Sequence, residues 1–351
     1  MSQPLVSVVM PCHNAAPYVA EAMESVLGQR CGPLELVVVD DASTDDSWEV
    51  IERVAARHPG RVKTRRLEVN RGGCHARNLG AGLTHGEFLM FMDSDDGAAP
   101  DTLAALVDAA RERPDGVAVC DWVHLELQDG AWKETPASVP LPEPGADLFR
   151  VWLEGSAWAP TSCVLWRRDV YDRTGGWDES LAREQDDDLM LRAYSLGARI
   201  VHARGGRAWY RLQPALGISV TKGIAVEKLR SSVQVVEMLA REIERHGRTE
   251  ELRPLVGNVY HQLALRGFQQ GHRELARECL RRGNEMAGPR ILSPKRVGRA
   301  LERVLGLEGK ERLVQALARY GVATPERRQS FQVRKLFARI EPVAESGTQA
   351  Q

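Results

Sequence analysis

The first 120 residues alternate apolar segments with amphipathic ones, and this alternation limits the possible folds more than any other feature of the chain. The segments LVSVVM (5–10), LELVVVDD (34–41) and FLMFM (88–92) are apolar almost to their ends, which is typical of strands buried on both sides. Between the first two, PYVAEAMESVLGQ (17–29) repeats its apolar residues at helical spacing. The alternation predicts an α/β fold in which helices cover both faces of a mostly parallel sheet.

The pattern changes after about residue 215. From residue 224 to residue 340 nearly every segment has helical spacing, interrupted by Gly and Pro, and no further strand pattern is found. We therefore predict two domains. An α/β domain is expected over residues 1–220 and an all-helical C-terminal region over residues 221–351, with the last ten or so residues disordered.

Charge is distributed unevenly along the chain, although the formal net charge is −1. Residues 1–240 contain 25 Lys+Arg against 35 Asp+Glu, whereas residues 241–340 contain 22 against 11. The arginines of the second part alternate with Glu and Leu, without interleaved aromatic residues, so the sequence does not predict nucleic-acid binding. A solvated helical surface, a peripheral contact with anionic lipid and a homo-oligomer contact are the alternatives for this basic region.

Cysteine spacing and hydropathy indicate the cellular compartment. The six cysteines are scattered without a CxxC pair or zinc-ligand spacing, which predicts free thiols. No apolar stretch approaches the roughly 18 residues that a membrane-spanning helix needs, and the N-terminus lacks the features of a signal peptide. We expect a cytoplasmic protein, with peripheral contact at the inner face of the membrane as an alternative.

Two of the expected strands end in carboxylates: Asp40 and Asp41 follow one strand, and Asp93, Asp95 and Asp96 follow the other. The carboxyl ends of parallel strands meet at one edge of a sheet, where ligands bind. Because alternate strand residues point the same way, Asp93 and Asp95 would present oxygens to one divalent cation, Mg²⁺ or Mn²⁺. Aspartates that cap turns or helices are the alternative.

Four segments resemble, in order and spacing, the motifs of family-2 glycosyltransferases. They are VSVVMPCHNAAPYVAEAMESVLGQ, LELVVVDDASTDDS, NRGGCHARNLGAGLTHGEFLMFMDSDDGAAPDTL and GGWDESLAREQDDDLMLRAYSLG. The resemblance covers about residues 5–211 and implies the GT-A fold. It also implies an inverting enzyme that transfers a sugar from a nucleotide sugar, expected to be a UDP-sugar, to a hydroxyl acceptor in cell-surface polysaccharide, glycolipid or secondary-metabolite biosynthesis.

The resemblance implies donor-binding roles for residues of the first three motifs. Pro11, His13 and Asn14 would lie against the base and the ribose. Asp40 would accept the N3–H of uracil if the donor is a UDP-sugar. Arg77 would contact the diphosphate, as expected of a guanidinium that forms charge-assisted hydrogen bonds with phosphate oxygens.

The same resemblance implies the metal site and the base. Asp95 would ligate the cation bound to the diphosphate, and Asp93 would face the ribose or the metal shell. Asp186 or Asp188 would be the general base that takes the proton of the acceptor hydroxyl. Trp177 would lie on the acceptor side of the site.

The chain departs from the family pattern next to the expected base. Gln185 stands where a glutamate is usual, and Asp187 stands where an aromatic or another residue is common. These departures leave the choice between Asp186 and Asp188 open. Gln185 and the helical tail also keep open a non-catalytic nucleotide-sugar-binding scaffold protein. A sugar nucleotidyltransferase on a related fold is a further alternative, although PCHNAAPY lacks the Gly-rich phosphate loop that it needs.

Overall fold

A single nine-stranded sheet runs through the residues that the computed structural model describes, which are 6–212, 226–290, 292–293 and 296–319. The strands are β1 (Val6–Cys12), β2 (Leu34–Asp40), β3 (Val62–Arg66), β4 (Phe88–Phe91), β5 (Gly97–Ala98), β6 (Gly116–Gln128), β7 (Ala131–Pro136), β8 (Val164–Arg167) and β9 (Arg199–Leu212). Their order is β3-β2-β1-β4-β8-β6-β9-β5, and β7 pairs with β6 outside this path.

Seven helices are interspersed with these strands. They are α1 (Val19–Leu27), α2 (Ser47–Arg57), α3 (Gly73–Gly82), α4 (Thr102–Glu112), α5 (Leu148–Glu154), α6 (Arg168–Thr174) and α7 (Gln185–Ser195). Four more follow among the described residues: α8 (Val226–Arg245), α9 (Thr249–Gln270), α10 (Arg273–Ala287) and α11 (Arg296–Arg319), the last interrupted at Gly306.

The α/β fold class is confirmed, and the sheet has a parallel half and a mixed half. β1 runs parallel to β2 and β4, and β2 runs parallel to β3. β8 runs antiparallel to both β4 and β6. The parallel half brings the carboxyl ends of β1, β2 and β4 to one edge of the sheet. The aspartates that follow β2 and β4 therefore lie at the same edge, as expected from the sequence.

The strand predicted at residues 116–120 extends to Gln128, because a hairpin lengthens it. Asp129 and Gly130 form the turn to β7, both with positive φ, 53° and 78°. A two-residue Asp-Gly turn of this kind is a common hairpin connection, since its twist matches that of the flanking strands. The dipeptide was therefore a local signal for the longer strand.

The central strands are buried on both faces, as their apolar composition predicts. All four residues of β4 are 0% exposed. In β2, Val37 and Val39 pack with Ala76 of α3, whereas Leu36 and Val38 belong to the main core. Successive strand residues point to opposite faces, so apolar layers cover both sides of this strand.

Gly80 allows α3 to lie directly on the sheet. A Cβ atom at this position would lie 2.4 Å from Cγ1 of Val9 and 3.3 Å from Cγ2 of Val39, whereas a Cβ at Gly82 would meet nothing within 4 Å. Gly80→Ala is expected to lower the free energy of unfolding by about 1–3 kcal/mol through overpacking. Gly82→Ala, the matched control, should leave it unchanged or raise it by up to about 1 kcal/mol. Chemical denaturation measures both, and equal values would contradict this packing.

The helical region packs against the α/β domain through both apolar and polar contacts. Buried apolar side chains of the two parts belong to one core cluster, and the Phe149 ring lies 5.6 Å from that of His246. Arg248 forms an ion pair with Asp147 at 2.6 Å, and Arg150 forms one with Glu251 at 2.8 Å. The predicted boundary at 220/221 and the predicted disordered tail lie outside the described residues.

Ion pairs account for much of the Arg/Glu alternation in the basic region. Arg281 pairs with Glu278 and Glu285 along α10, and Arg277 reaches Glu308 on α11 at 2.7 Å. Such exposed pairs contribute little to stability individually. They do show that the surplus of arginine in the sequence is partly offset at the surface of these helices.

Two further expectations concern sulfur and membranes. All six cysteines are free thiols, which confirms the prediction from their spacing. In the ranges that the structure covers, no helix combines the length and apolar character required to traverse a bilayer.

Candidate active site

The loops after β1 and β2 are bound to each other at the sheet edge. His13 Nδ1 lies 2.8 Å from the carbonyl oxygen of Asp41, and the Asn14 side-chain oxygen accepts the backbone N–H of Thr44 at 2.8 Å. The backbone N–H of Asn14 donates to Ser43 Oγ at 3.0 Å, with Asn14 at a left-handed φ of 51°. The two loops thus form one surface that includes His13 and Asn14, two of the three residues expected to contact the base and the ribose.

The carboxylates of Asp40 and Asp41 shape this surface from below. Asp40 is 0% exposed, accepts the hydroxyl hydrogen of Ser43 and pairs with Arg66 Nε at 3.2 Å. Asp41 accepts the backbone N–H groups of residues 71–72, each at 2.7 Å. A uracil N3–H would be a third partner for the Asp40 carboxylate, so its role in base recognition stays a prediction. Pro11 is buried within β1.

Arg77 is fixed at the bottom of a cleft beside the end of β4. Its guanidinium donates to Asp93 Oδ1 at 2.6 Å and to the Gln185 side-chain oxygen at 3.2 Å, and its carbon lies 4.6 Å from the centre of the Trp177 ring. Burial opposes its charge, but Asp93 outweighs that effect and raises the pKa of Arg77 above its ordinary value. A neutral Gln185 holds Arg77 without adding a second carboxylate.

Arg77→Lys is expected to weaken both folding and donor binding. A lysine cannot reproduce the planar fork that reaches two acceptors and stacks on an indole. We expect a loss of about 1.5–3 kcal/mol in the free energy of unfolding, the usual contribution of a hydrogen bond to a charged group. Arg71→Lys, an exposed position on the same segment, should change it by less than about 0.5 kcal/mol. Denaturation and nucleotide titration measure the two effects, and a stable Arg77→Lys protein with full affinity would contradict this arrangement.

The three aspartates after β4 form a tight turn with mutually repelling charges. Asp93 is partly exposed, and Asp96 is buried, accepting the backbone N–H of Arg211 at 2.9 Å. Burial, followed by the neighbouring charges of Asp95 and Asp93, raises the pKa of Asp96 well above its ordinary value. A positive charge placed at this turn would relieve that repulsion.

These carboxylates fit a hard divalent cation in their donor chemistry. Among the described residues, no three His, Cys, Asp or Glu side chains are arranged to hold a metal ion by themselves. Mg²⁺ sites often take only one or two carboxylates and complete their ligand set with phosphate oxygens and water. Asp95 as the direct ligand stays a prediction, and so does Asp93 at the metal shell, where one of its oxygens is bound to Arg77.

Arg211, at the end of β9, holds this turn and was not identified from the sequence. Its Nε donates to the carbonyl oxygen of Asp95 at 2.7 Å, and a terminal nitrogen reaches Glu21 at 2.8 Å. The guanidinium carbon lies 5.1 Å from the Tyr18 ring centre and 4.5 Å from that of Trp132. No local pattern marks this arginine, because its partners are distant in sequence.

The structure separates the two candidates for the general base. Asp186 accepts the indole N–H of Trp158 at 2.7 Å and faces a cleft of about 250 Å³. Asp188 is only 3% exposed and accepts two N–H bonds from Arg192, at 2.9 and 2.5 Å. Burial raises the pKa of Asp188, although Arg192 partly offsets the effect. The cleft is lined by Arg77, Asp93, Trp158, Thr161, Trp177, Ala182, Arg183, Glu184, Gln185, Asp186, Asp187 and Tyr210.

Trp158 is held in a fixed orientation by neighbouring rings. Its ring centre lies 5.3 Å from that of Trp122 and 5.5 Å from that of Tyr210, both in edge-to-face geometry. Burial is the main cause that raises the pKa of Tyr210, and the charge of the nearby Asp96 adds to it. The indole N–H that orients Asp186 is therefore part of a rigid aromatic cluster.

Trp177 lines the same cleft but is almost completely covered. It is 4% exposed, with Arg77 over its face and the Phe91 ring 5.1 Å away in edge-to-face contact. This burial leaves the indole little surface on which a sugar could stack. The predicted role on the acceptor side stays a prediction, and the observed contact is with Arg77.

Two serines of α8 form hydrogen bonds with the loop that precedes Asp186. Ser231 Oγ accepts the backbone N–H of Ala182 at 2.8 Å, and Ser232 Oγ donates to the carboxylate of Glu184 at 2.8 Å. Glu184 lies at a left-handed φ of 60° directly before α7. The helical region thus supports the start of the helix that carries Asp186.

Comparison with known proteins gives consistent matches. Residues 7–175 match the family model described as Glycosyl transferase family 2. An uncharacterized glycosyltransferase of Nostoc sp. is 32% identical over 214 residues, which are 60% of this chain and 65% of that protein. The putative teichuronic acid biosynthesis glycosyltransferase TuaG of Bacillus subtilis is 34% identical over 128 residues, 36% of this chain and 50% of that protein. The matched segments therefore span less than two thirds of either relative.

Solved structures share the fold at low sequence identity. TarS 1-349 of S. aureus in complex with UDP-GlcNAc has a TM-score of 0.62 and 21% identity, covering 90% of this chain and 92% of that one. Mannosyltransferase PcManGT of Pyrobaculum calidifontis, in complex with GDP-Man and Mn²⁺, has a TM-score of 0.53 and 21% identity, covering 91% and 85%. These similarities establish the GT-A fold that the sequence motifs imply.

Proposed function

We propose that this chain, whose residues 7–175 match the model of glycosyltransferase family 2, transfers a sugar from a nucleotide-sugar donor to a hydroxyl acceptor. The observation that carries the proposal is the cleft in which Arg77, Asp93 and Asp186 meet beside the aspartate turn. It combines a cationic group for a diphosphate with a carboxylate for an incoming hydroxyl. Structural neighbours bind nucleotide sugars, UDP-GlcNAc in TarS and GDP-Man in PcManGT.

The proposed reaction is a single displacement at the anomeric carbon. Asp186 takes the proton of the acceptor hydroxyl while that oxygen forms the new glycosidic bond. The bond from the anomeric carbon to the diphosphate oxygen breaks at the same time, and its electron pair leaves with the nucleoside diphosphate. One displacement inverts the anomeric centre and needs no carboxylate nucleophile.

The chain's own groups position both reactants. The indole N–H of Trp158 binds one oxygen of Asp186, which holds this carboxylate at the wall of the cleft. Arg77 donates to the diphosphate and retains its charge beside Asp93. Asp95, with Asp93 next to it, would hold a divalent cation, Mg²⁺ or Mn²⁺, and such an ion would offset charge on the leaving diphosphate.

The nucleoside end of the donor is proposed to lie on the surface formed by the loops after β1 and β2. His13 and Asn14 are exposed there, and Asp40 and Pro11 lie beneath them. A UDP-sugar is the proposed donor. A polysaccharide acceptor is proposed from the likeness to TuaG, a putative teichuronic acid biosynthesis glycosyltransferase. A location in the cytoplasm stays a prediction.

The test is a panel of UDP-, GDP- and dTDP-sugars with and without Mn²⁺. A ligand that binds only the folded state raises Tm, so the donor should give the largest Tm increase, and the increase should need the cation. Release of the nucleoside diphosphate with a sugar acceptor then measures transfer. Donor binding without any release of diphosphate would favour the scaffold alternative, and absence of binding to every donor would overturn the proposal.

A further inference from the structure

A second, smaller cavity shares Asp186, Asp187 and Trp158 with the donor cleft but has its own walls between α5 and α7. We call it the α5–α7 pocket. Its volume is about 40 Å³. The side chains that distinguish it are apolar: Val151, Trp152, Ala157, Ala159, Met190 and Leu191.

The volume of the α5–α7 pocket limits what it can hold. A single water needs roughly 10–15 Å³ by this measure, so the pocket has room for about three groups of that size. A sugar ring is too large, whereas a methyl group with the atom that carries it fits. Among the described residues that line the pocket there is no Lys, Arg or His, and the carboxylates of Asp186 and Asp187 would repel an anionic group.

The position of the α5–α7 pocket relates it to the acceptor. In the proposed reaction the donor diphosphate lies against Arg77 in the cleft, and the acceptor hydroxyl must also reach Asp186. Since Asp186 borders both cavities, an acceptor that places its hydroxyl on this carboxylate places a neighbouring substituent in the α5–α7 pocket. The wall that they share is rigid, because Trp158 is fixed by Trp122 and Tyr210.

We propose that the α5–α7 pocket binds a methyl-sized apolar substituent of the acceptor, next to the hydroxyl that is glycosylated. This inference rests on the proposed function, because it needs an acceptor at Asp186. The methyl of an acetamido group and the C6 methyl of a 6-deoxy sugar share this chemistry. A hydrophobic pocket distinguishes substrates that differ by one such group by about tenfold or more.

Ligand-observed NMR tests the inference without turnover. The probes are two matched pairs of methyl glycosides, glucose against N-acetylglucosamine and galactose against its 6-deoxy counterpart, added to the full chain with UDP and Mn²⁺. In the pair that fits, saturation transfer should be strongest at the acetamido or C6 methyl. In that pair, glucose or galactose, which carries a hydroxyl in place of the methyl-bearing or deoxy position, should bind about tenfold more weakly than its partner. The two pairs decide which substituent is the source of the methyl group.

Variants of the pocket wall make the test specific. Ala157→Leu should fill the pocket and remove the methyl preference while leaving UDP binding unchanged, whereas Ala131→Leu, at an exposed position of β7, should preserve the preference. Val151→Thr keeps the size and adds a hydroxyl, so it should reduce the preference even if Ala157→Leu fails to fold.

The outcomes separate this inference from the proposed function. Equal binding within both pairs, or a preference that survives filling of the pocket, would overturn the α5–α7 assignment alone. A methyl preference in binding, combined with no sugar transfer to any acceptor, would support the pocket and contradict the transferase reaction.

Discussion

Asp186→Asn is expected to lower kcat by about 10²–10⁴-fold, the range that a positioned general base contributes, while donor affinity and Tm stay unchanged. An asparagine side chain has the same shape and its oxygen can still accept the Trp158 N–H, so the fold and the cleft are preserved. What is lost is the ability to take the acceptor proton. Steady-state transfer kinetics and donor titration of the purified variant measure the two quantities.

Asp188→Asn is the matched comparison, two residues along the same helix. Its carboxylate is buried against Arg192, so the variant should lose about 1.5–3 kcal/mol of unfolding free energy with kcat close to that of the wild type. The two variants therefore show opposite patterns of activity and stability. If Asp188→Asn lost the turnover and Asp186→Asn kept it, the assignment of the base would be reversed.

Asp95→Ala is expected to remove the Mn²⁺-dependent part of donor binding and to lower kcat/KM by about 10³-fold. The estimate follows from several kcal/mol of charge stabilisation at a metal-bound diphosphate and a factor of ten per 1.36 kcal/mol. The contact with Arg211 uses the backbone carbonyl of Asp95, so an alanine keeps it. The variant thus tests the carboxylate rather than the turn.

The thermal-shift series with donor and Mn²⁺ provides the measurement for Asp95→Ala. Asp101→Ala, a surface aspartate near Arg30 with a side chain 67% exposed, serves as the control and should retain the full shift. A Mn²⁺-dependent Tm increase of wild-type size in Asp95→Ala would exclude this carboxylate as a ligand.

The strands and their acidic ends could be predicted from the sequence because both signals are local. An apolar segment followed by aspartates specifies a buried strand and the edge at which it ends. Strand direction in the second half of the sheet was not predictable in this way. β8 follows a segment of loops with the short helix α5, and no local pattern decides whether β8 runs parallel or antiparallel to β4.

The candidate site residues also differ in whether a local sequence pattern reveals their contacts. The ion pair that occupies Asp188 had a local signal, since Arg192 lies four residues later on the same helix face. Arg211 had none, because its partners Asp96 and Glu21 lie 115 and 190 positions away. Only the folded sheet, in which β9 pairs with β5 directly after the aspartate turn, brings Arg211 to that turn.

The hydrogen bonds between Ser231 and Ser232 and the loop before α7 bear on how this protein can be engineered. A shortened version ending near residue 220 would lack both hydroxyls, and the segment carrying Ala182 and Glu184 would have to find other partners. A chimera that takes its helical region from a relative should therefore take the loop before α7 from the same relative, so that the loop and the serines that bind it stay matched.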